Sequence, residues 1–337
     1  MIERNQKGNG LAALDRIGAH AWKPERAIEI VAGTAPGGGL DRTARALAAA
    51  LESARLLEVP VTVKNVPGDG ARKAWAYMDT HVGDPHVLSI SHPNLTTDRL
   101  VGLASFDHRA YTPIAILYNE YIAFAVRPDS LLKNAGDLLE RARTDAASLS
   151  VALSTALGNP NHIALARIVQ HAGGDPRAPL VRVFDSALDA VADVVSGKSE
   201  LAAITAASTL TALAAGQVRI LAVSAPQRLA GLLASASTWS EHGVGCIVGA
   251  WRGIAGASGI GASHIEFWAR TLHAASATQS WRGELERNGW AECHVEGEQL
   301  GRYLEQERAE MAATLNELAL LRPDAAYSGR RTTERNT

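Results

Sequence analysis

Residues 27–51 read AIEIVAGTAPGGGLDRTARALAAAL, and this stretch decides the fold class. Ala27–Ala32 is apolar and rich in β-branched residues, and the run from Thr34 to Asp41 breaks it with a proline and three glycines. Leu40, Ala44, Leu47, Ala48 and Leu51 then recur at helical spacing. The order is strand, tight loop, helix. Successive glycines let the backbone come close to a ligand, while the following helix turns free N–H groups and its positive dipole end toward the same space. That geometry suits a carboxylate or a phosphate. Each hydrogen bond to an ionised group contributes roughly 1.5–3 kcal/mol net, so a few main-chain donors can hold a carboxylate without an arginine. Nucleotide readings fail on detail: no Gly-Lys-Ser/Thr follows, and Arg42 stands where a dinucleotide fingerprint needs its third glycine. The other reading is a plain turn in which Asp41 caps the helix. The loop alone does not choose between them.

The same grammar repeats along the chain. Val59–Val63 reads as a strand, 65–70 as a loop, Ala74–Met78 as a short helix and His86–Ser91 as the next strand. Thr112–Leu117 and Tyr121–Val126 are two further strands. Leu149–Ser154 leads through a loop to a helix from Pro160 that buries Leu165, Ile168, Val169 and Ala172. Val181–Phe184 precedes a helix over Ser186–Val195 with Leu188, Val191, Ala192 and Val195 on its inner face. Leu201–Thr205 and Arg219–Ser224 flank a short helix, Ser208–Ala215. The chain from Ser263 reads as helical, ending in an amphipathic helix that turns Leu300, Leu304, Met311, Leu315 and Leu318 inward. Strands alternating with helices predict an α/β fold whose parallel sheets carry helices on both faces.

A second strand-to-helix loop runs from Ser154 to His162. Asn159 is a good N-cap and Pro160 fits the first helical position. Ser154 and Thr155 place hydroxyls at the strand's C-terminal end, where α/β folds bind ligands. His162 falls in the first helical turn, so it is expected neutral at pH 7 and structural rather than catalytic. The loops at Ser91-His92-Pro93-Asn94 and Asp185-Ser186 are further cleft edges or simple turns.

Composition narrows the function. At 337 residues, 47% hydrophobic and 20% charged, the chain is long enough for about two ordinary globular domains. A net charge of −2 gives no basic field for nucleic acid or anionic lipid. Only Cys246 and Cys293 are present, which excludes a disulfide framework and a cysteine zinc site. The 11 histidines form no metal pair on one helical face, no cofactor motif appears, and Gly-x-Ser-x-Gly and His-Glu-x-x-His are both missing. Glu305 and Glu307 read as solvated surface. No stretch reaches the ~18 apolar residues of a membrane span. At the N-terminus only Leu11–Leu14 is apolar, too short for an export signal.

These loops carry a resemblance. The chain from about Arg26 to Arg322 resembles the tripartite tricarboxylate transporter receptors, or Bug proteins. It does so in IEIVAGTAPGGGLDRTARALA, VTVKNVPGDGARKA, LSVALSTALGNPNHIA, SALDAVADVVSGKSELAAI and GQVRILAVSAPQR, taken in order. The resemblance implies a type II periplasmic binding-protein fold: two α/β lobes around a ligand cleft, crossed near 118–126 and 225–251. It makes 1–24 a disordered extension, 25–120 with 250–322 one lobe, 121–249 the other, and 323–337 a frayed tail. It nominates Ala35, Gly37, Gly38, Gly39 and Asp41 from one lobe as ligand-binding. Ser154, Thr155, Ala156, Gly158, Asn159 and His162 come from the other, with Ser91, Ser186 and Thr205 at further strand ends. Where the family often has an aspartate, this chain has Ile204 and Thr205, so a ligand amino group has no acid to meet there.

The expected function is that of a periplasmic receptor, monomeric and without cofactor, that delivers a small organic acid to membrane transporter subunits. The absence of a readable export signal keeps a cytoplasmic carboxylate sensor open. An α/β enzyme using His162 as base is the third reading.

Overall fold

The computed structural model describes residues 22–322. The tail at 323–337, and all of the expected extension before Trp22, lie outside the described residues. The strand and helix read from 27–51 are β1 (Ile28–Ala32) and α1 (Gly39–Ser53). Leu40, Ala44, Leu47 and Leu51 of α1 pack on Ile28 and Ile30 of β1 in one core. Then follow β2 (Val61–Asn65), α2 (Arg72–Met78), β3 (Val87–Ser91), α3 (Asn94–Leu100), β4 (Thr112–Asn119) and β5 (Ile122–Val126). The middle of the chain supplies α4 (Ala135–Asp145), β6 (Ser150–Ser154), α5 (Pro160–His171), β7 (Leu180–Phe184), α6 (Ala187–Val195), β8 (Leu201–Thr205), α7 (Leu210–Ala214) and β9 (Arg219–Val223). The last stretch holds β10 (Arg252–Gly256), α8 (Ala262–Ser276), α9 (Gln279–Asn288), β11 (Ala291–Glu296) and α10 (Gly297–Glu317).

Two sheets make two lobes. One has the order β11-β4-β10-β3-β1-β2, the other β7-β6-β8-β5-β9. The expected parallel pairing holds for β1 with β2 and β3 and for β6 with β7 and β8, and is corrected elsewhere: β10 runs antiparallel to β3 and β4, β11 to β4, and β5 to β8 and β9. The reason lies in the crossings. Only Glu120 and Tyr121 separate β4 from β5, so the chain enters the second sheet directly from the first. It returns as β10, against the direction of β3 and β4. The two crossing segments lie side by side, with the Ala250 amide donating to the Glu120 carbonyl at 2.6 Å and Tyr121 bridging to Gly249.

Four elements escaped the sequence reading. Helix α4 is mostly polar and buries only Ala135, Leu138 and Ala142, although its Asn134/Asp137 capping box was there to be read. Helix α3 (NLTTDRL) is polar in composition yet almost wholly buried. Strand β10 (RGIAG) is short and glycine-rich; a Cβ on Gly253 would stand 2.5 Å from the Ala115 carbonyl oxygen, so close strand approach demands glycine. Strand β11 (AECHVE) interrupts the segment read as continuously helical, and as a sheet edge it has no fully buried residue to betray it.

Other expectations shift locally. Trp22 packs edge-on against His86, His264 and Phe267, with ring centroids 4.7–5.4 Å apart, so it belongs to the folded body and not to an extension reaching residue 24. In α6 the inner face is Ala190, Val191 and Val194, while Leu188 is 47% exposed and Ala192 is also exposed. Helix α10 buries all five residues expected of it. Leu300 and Leu304 pack on Ile116 and Trp251, Met311 enters the core of the five-stranded lobe, and Leu315 and Leu318 cover Ala166 of α5. Glu307 on this helix is not solvated surface: it accepts a 2.6 Å hydrogen bond from Trp251 Nε1, and burial pushes its carboxyl up to about 8. Cys246 and Cys293 are free thiols. No helix among the described residues is long and apolar enough to cross a membrane.

Candidate functional site

A cleft of about 570 Å³ opens between the lobes, at the C-terminal ends of β1, β2 and β3 on one side and β6, β7 and β8 on the other. Of the residues nominated from sequence, Ala35, Gly38, Gly39, Ser154, Thr155, Asn159, Ser186 and Thr205 line it. Gly37, Asp41, Ser91, Ala156, Gly158 and His162 do not line it.

Asp41 shows why neighbours of a cleft need not face it. Its buried carboxylate accepts hydrogen bonds from the Gly37 amide (2.8 Å), Asn65 Nδ2 (2.8 Å) and Arg45 Nε (3.0 Å). Burial alone would raise its pKa; the Arg45, Gly37 and Asn65 bonds outweigh that and hold the carboxyl below its usual range. The aspartate is thus a strut that shapes the glycine loop. Gly37 sits at φ +84°, in the left-handed region that favours glycine. The Gly38 amide is used by the Ala35 carbonyl at 3.0 Å, and the Asp41 amide by Thr34 Oγ1 at 3.2 Å. What remains at the start of α1, which has no side-chain cap, are the Gly39 and Leu40 amides, with no acceptor among the described residues. Both residues line the cleft. A Cβ on Gly38 would stand 2.7 Å from Thr34 Cβ and Oγ1, whereas one on Gly39 would meet nothing nearer than Arg252 Nη2 at 3.9 Å.

The opposite wall is equally braced. Asn159 caps α5 as read, its Oδ1 accepting from the His162 amide at 3.2 Å, with Pro160 at the first helical position. Its Nδ2 donates to the Ser154 carbonyl (2.6 Å) and to Thr155 Oγ1 (2.8 Å). Asn161 Nδ2 donates to Ser154 Oγ at 3.0 Å. The Gly158 amide donates to His162 Nδ1 at 3.0 Å, so that nitrogen is unprotonated. Burial, more than the helix dipole invoked from sequence, pushes His162 down to about 4. Thr155 is held at φ +68°, a strained position for a β-branched residue. Its hydroxyl also accepts from Asn94 Nδ2 of the other lobe at 2.9 Å, which joins the two walls across the cleft. Ser186 caps α6 by accepting from the Asp189 amide at 3.1 Å, and Thr205 Oγ1 pairs with Ser208 Oγ at 2.9 Å.

Residues 44–320 match the model of the tripartite tricarboxylate transporter family receptor. The chain belongs to that family. Solved structures of similar fold to this receptor include a TctC solute binding protein from Polaromonas, 24% identical, covering 88% of this chain and 99% of that one, with a TM-score of 0.66. An R. palustris protein with adipate is 21% identical over 88% of this chain and 98% of its own, with a TM-score of 0.79. MatC from Rhodopseudomonas palustris with bound malate is 21% identical over 87% and 99%, with a TM-score of 0.70. Comparison with curated proteins returns no match.

The receptor's cleft also contains residues that the sequence did not single out. Arg42 and Lys73 line it from the six-stranded lobe, and Asp185, Leu188 and Asp189 from the other. Arg252, 8% exposed, gives Nη1 to the Ala250 carbonyl (2.7 Å) and the Trp251 carbonyl (3.1 Å), and Nη2 to Glu120 Oε2 (3.1 Å). Buried His92 also lines the cleft; burial, and then the charge of Arg252, push it down to about 3. The sequence points to the loop 91–94 and within it to Ser91, whereas His92 is the residue that lines the cleft. Alternation along an extended chain could have flagged that choice. Outside the cleft, His273, His294 and Glu296 bring potential ligand atoms within 4.8 Å of one another, the arrangement nearest to a metal site among the described residues.

Proposed function

We propose that this receptor captures a small organic acid in the periplasm and presents it to the membrane subunits of a tripartite tricarboxylate-type transporter. The observation that carries the reading is the pair of uncommitted amides, Gly39 and Leu40, at the start of a 15-residue helix, opening into a cleft between two lobes. A helix start with free donors is an anion site, and the strut at Asp41 preorganises it. Family membership, and solved structures of the same fold that hold adipate and malate, support a carboxylate as the anion. Ala35, Gly38, Gly39, Ser154, Thr155, Asn159, Ser186 and Thr205 form the ligand-facing set in this reading, and Asp41, Gly158 and His162 brace it. Residues 25–120 with 250–322, and 121–249, act as the two jaws of a monomer. They hinge at the paired crossings, and closure is driven by contacts the ligand makes only when both jaws reach it.

The reading of His162 as a general base has little support, since its Nδ1 is taken by the Gly158 amide and it does not line the cleft. Calorimetry and thermal shift with mono-, di- and tricarboxylates test the proposal. A ligand at about 100 times its Kd stabilises the folded state by about 2.7 kcal/mol. No rise in melting temperature with any acid at millimolar concentration would defeat it. Fractionation of cells expressing the full gene tests the location.

A further inference from the structure

Two buried nitrogens on the cleft wall lack partners: His92 Nε2 and Arg252 Nε. They are close for a reason set by the backbone. Strands β3 and β10 are antiparallel with Gly253 opposite Ser91, so one step further along the register His92 and Arg252 are cross-strand neighbours. Their hydrogen-bonding capacities are complementary. His92 is held neutral by burial and by the neighbouring charge of Arg252, and beside a guanidinium the favoured neutral tautomer leaves the lone pair on the unpartnered Nε2. Arg252 Nε can only donate. One acceptor and one donor side by side are the two partners that a hydroxyl group needs.

The charge balance points the same way. Glu120 Oε2 already neutralises Arg252 at 3.1 Å, and Glu120 is itself buried with its Oε1 unpartnered. A second carboxylate here would add an uncompensated charge in a buried site beside Glu120, which is costly. A keto oxygen would satisfy Arg252 and leave His92 orphaned. The guanidinium also lies beside the anion site, since the direction a side chain would take from Gly39 ends 3.9 Å from Arg252 Nη2.

We propose that His92 and Arg252 form a subsite that reads a ligand hydroxyl on a carbon close to the bound carboxylate, so that the receptor selects hydroxy acids over their unsubstituted counterparts. The inference rests on the carboxylate reading of the cleft. The subsite also lies next to the contact that spans the cleft, since Asn94, two residues beyond His92, donates to Thr155 on the far wall at 2.9 Å.

The test is calorimetric titration of the full chain with matched pairs: propionate and lactate, succinate and malate, glutarate and 2-hydroxyglutarate. The hydroxylated member of at least one pair is expected to bind roughly tenfold to a hundredfold tighter, as one well-placed hydrogen bond to a charged group implies. His92→Phe should bring that ratio close to one while leaving the unsubstituted acid within about threefold of its original affinity. If that variant fails to fold, R252Q/E120Q, which removes both charges together, replaces it and should also collapse the ratio. Equal affinity within every pair would overturn this inference and leave the carboxylate reading standing. A ratio that survives both variants would overturn the assignment to these residues. Absence of binding by all six acids would remove the carboxylate reading, and this inference with it.

Discussion

Replacing Gly39 by alanine separates binding from folding at the start of α1. The added methyl meets nothing closer than Arg252 Nη2 at 3.9 Å, an ordinary contact, and Gly39 is not in the left-handed region. Alanine is also the better helix former, by up to about 1 kcal/mol in a helix interior and less at its first position. The melting temperature of the unliganded protein should therefore stay level or rise slightly. Gly39 lines the cleft, so the methyl adds bulk to the wall where the anion is proposed to sit. Losing one hydrogen bond to a carboxylate costs about 1.5–3 kcal/mol, which is roughly a tenfold to 150-fold rise in Kd. Calorimetry with whichever acid binds the wild type most tightly, alongside a melting curve without ligand, reads both quantities. An unchanged Kd in a variant of unchanged stability would show that the acid sits elsewhere. Gly38→Ala makes the contrast, because its Cβ would collide with Thr34 at 2.7 Å and so lower stability as well as affinity.

Three further outcomes follow from buried polar groups. Asp41→Asn should destabilise the fold by about 1–3 kcal/mol by denying an acceptor to the Gly37 amide or Asn65. Because the folded carboxyl titrates below its usual value, the stability contributed by Asp41 is present above its unfolded pKa and is lost as pH falls through the folded pKa. Asp84 and Asp107 are depressed in the same way, so the variant should keep an acid limb in denaturant melts but a shallower one than the wild type, and an equally steep limb would refute the role given to Asp41. Glu307 behaves with the opposite sign: its folded pKa of about 8 lies above the ordinary 4.5, so the folded state holds an extra proton between those values and loses stability as pH rises. Glu307→Gln should flatten this slope, which is at most roughly 1.4 kcal/mol per pH unit; parallel pH profiles for the two proteins would contradict it. Asn94→Ala removes the bond across the cleft to Thr155 and should weaken ligand binding by about twofold to tenfold with little change in melting temperature. Unaltered affinity, with an unaltered radius of gyration on ligand addition, would mean that bond plays no part in closure.

What could be read in advance was local. The strand and helix around residues 27–51, the Asn159–Pro160 start of α5 and the strand Leu201–Thr205 are written in short runs whose chemistry is complete within a few residues. Residues that depend on distant partners were not legible. Arg252 gains its place from Glu120, 132 positions away, on a strand too short and glycine-rich to announce itself. Leu188 reads as core by periodicity, yet it belongs to the cleft wall because α6 is turned to bury Ala190, Val191 and Val194 instead. Glu307 looks like helix surface until Trp251 is laid over it by the second crossing. The glycine loop announced an anion site, but its spacing gave no means to separate donors that reach the cleft from a strut such as Asp41.

Helix α10 has a bearing on how the molecule comes apart. Its N-terminal half is bound into one lobe, while Met311, Leu315 and Leu318 complete apolar surfaces of the other. Excising residues 121–249 as an independent fragment would therefore strip α5 of its cover and leave sticky surface exposed to solvent. Melting of the intact chain should accordingly proceed as one cooperative transition, with neither half surviving the loss of the other.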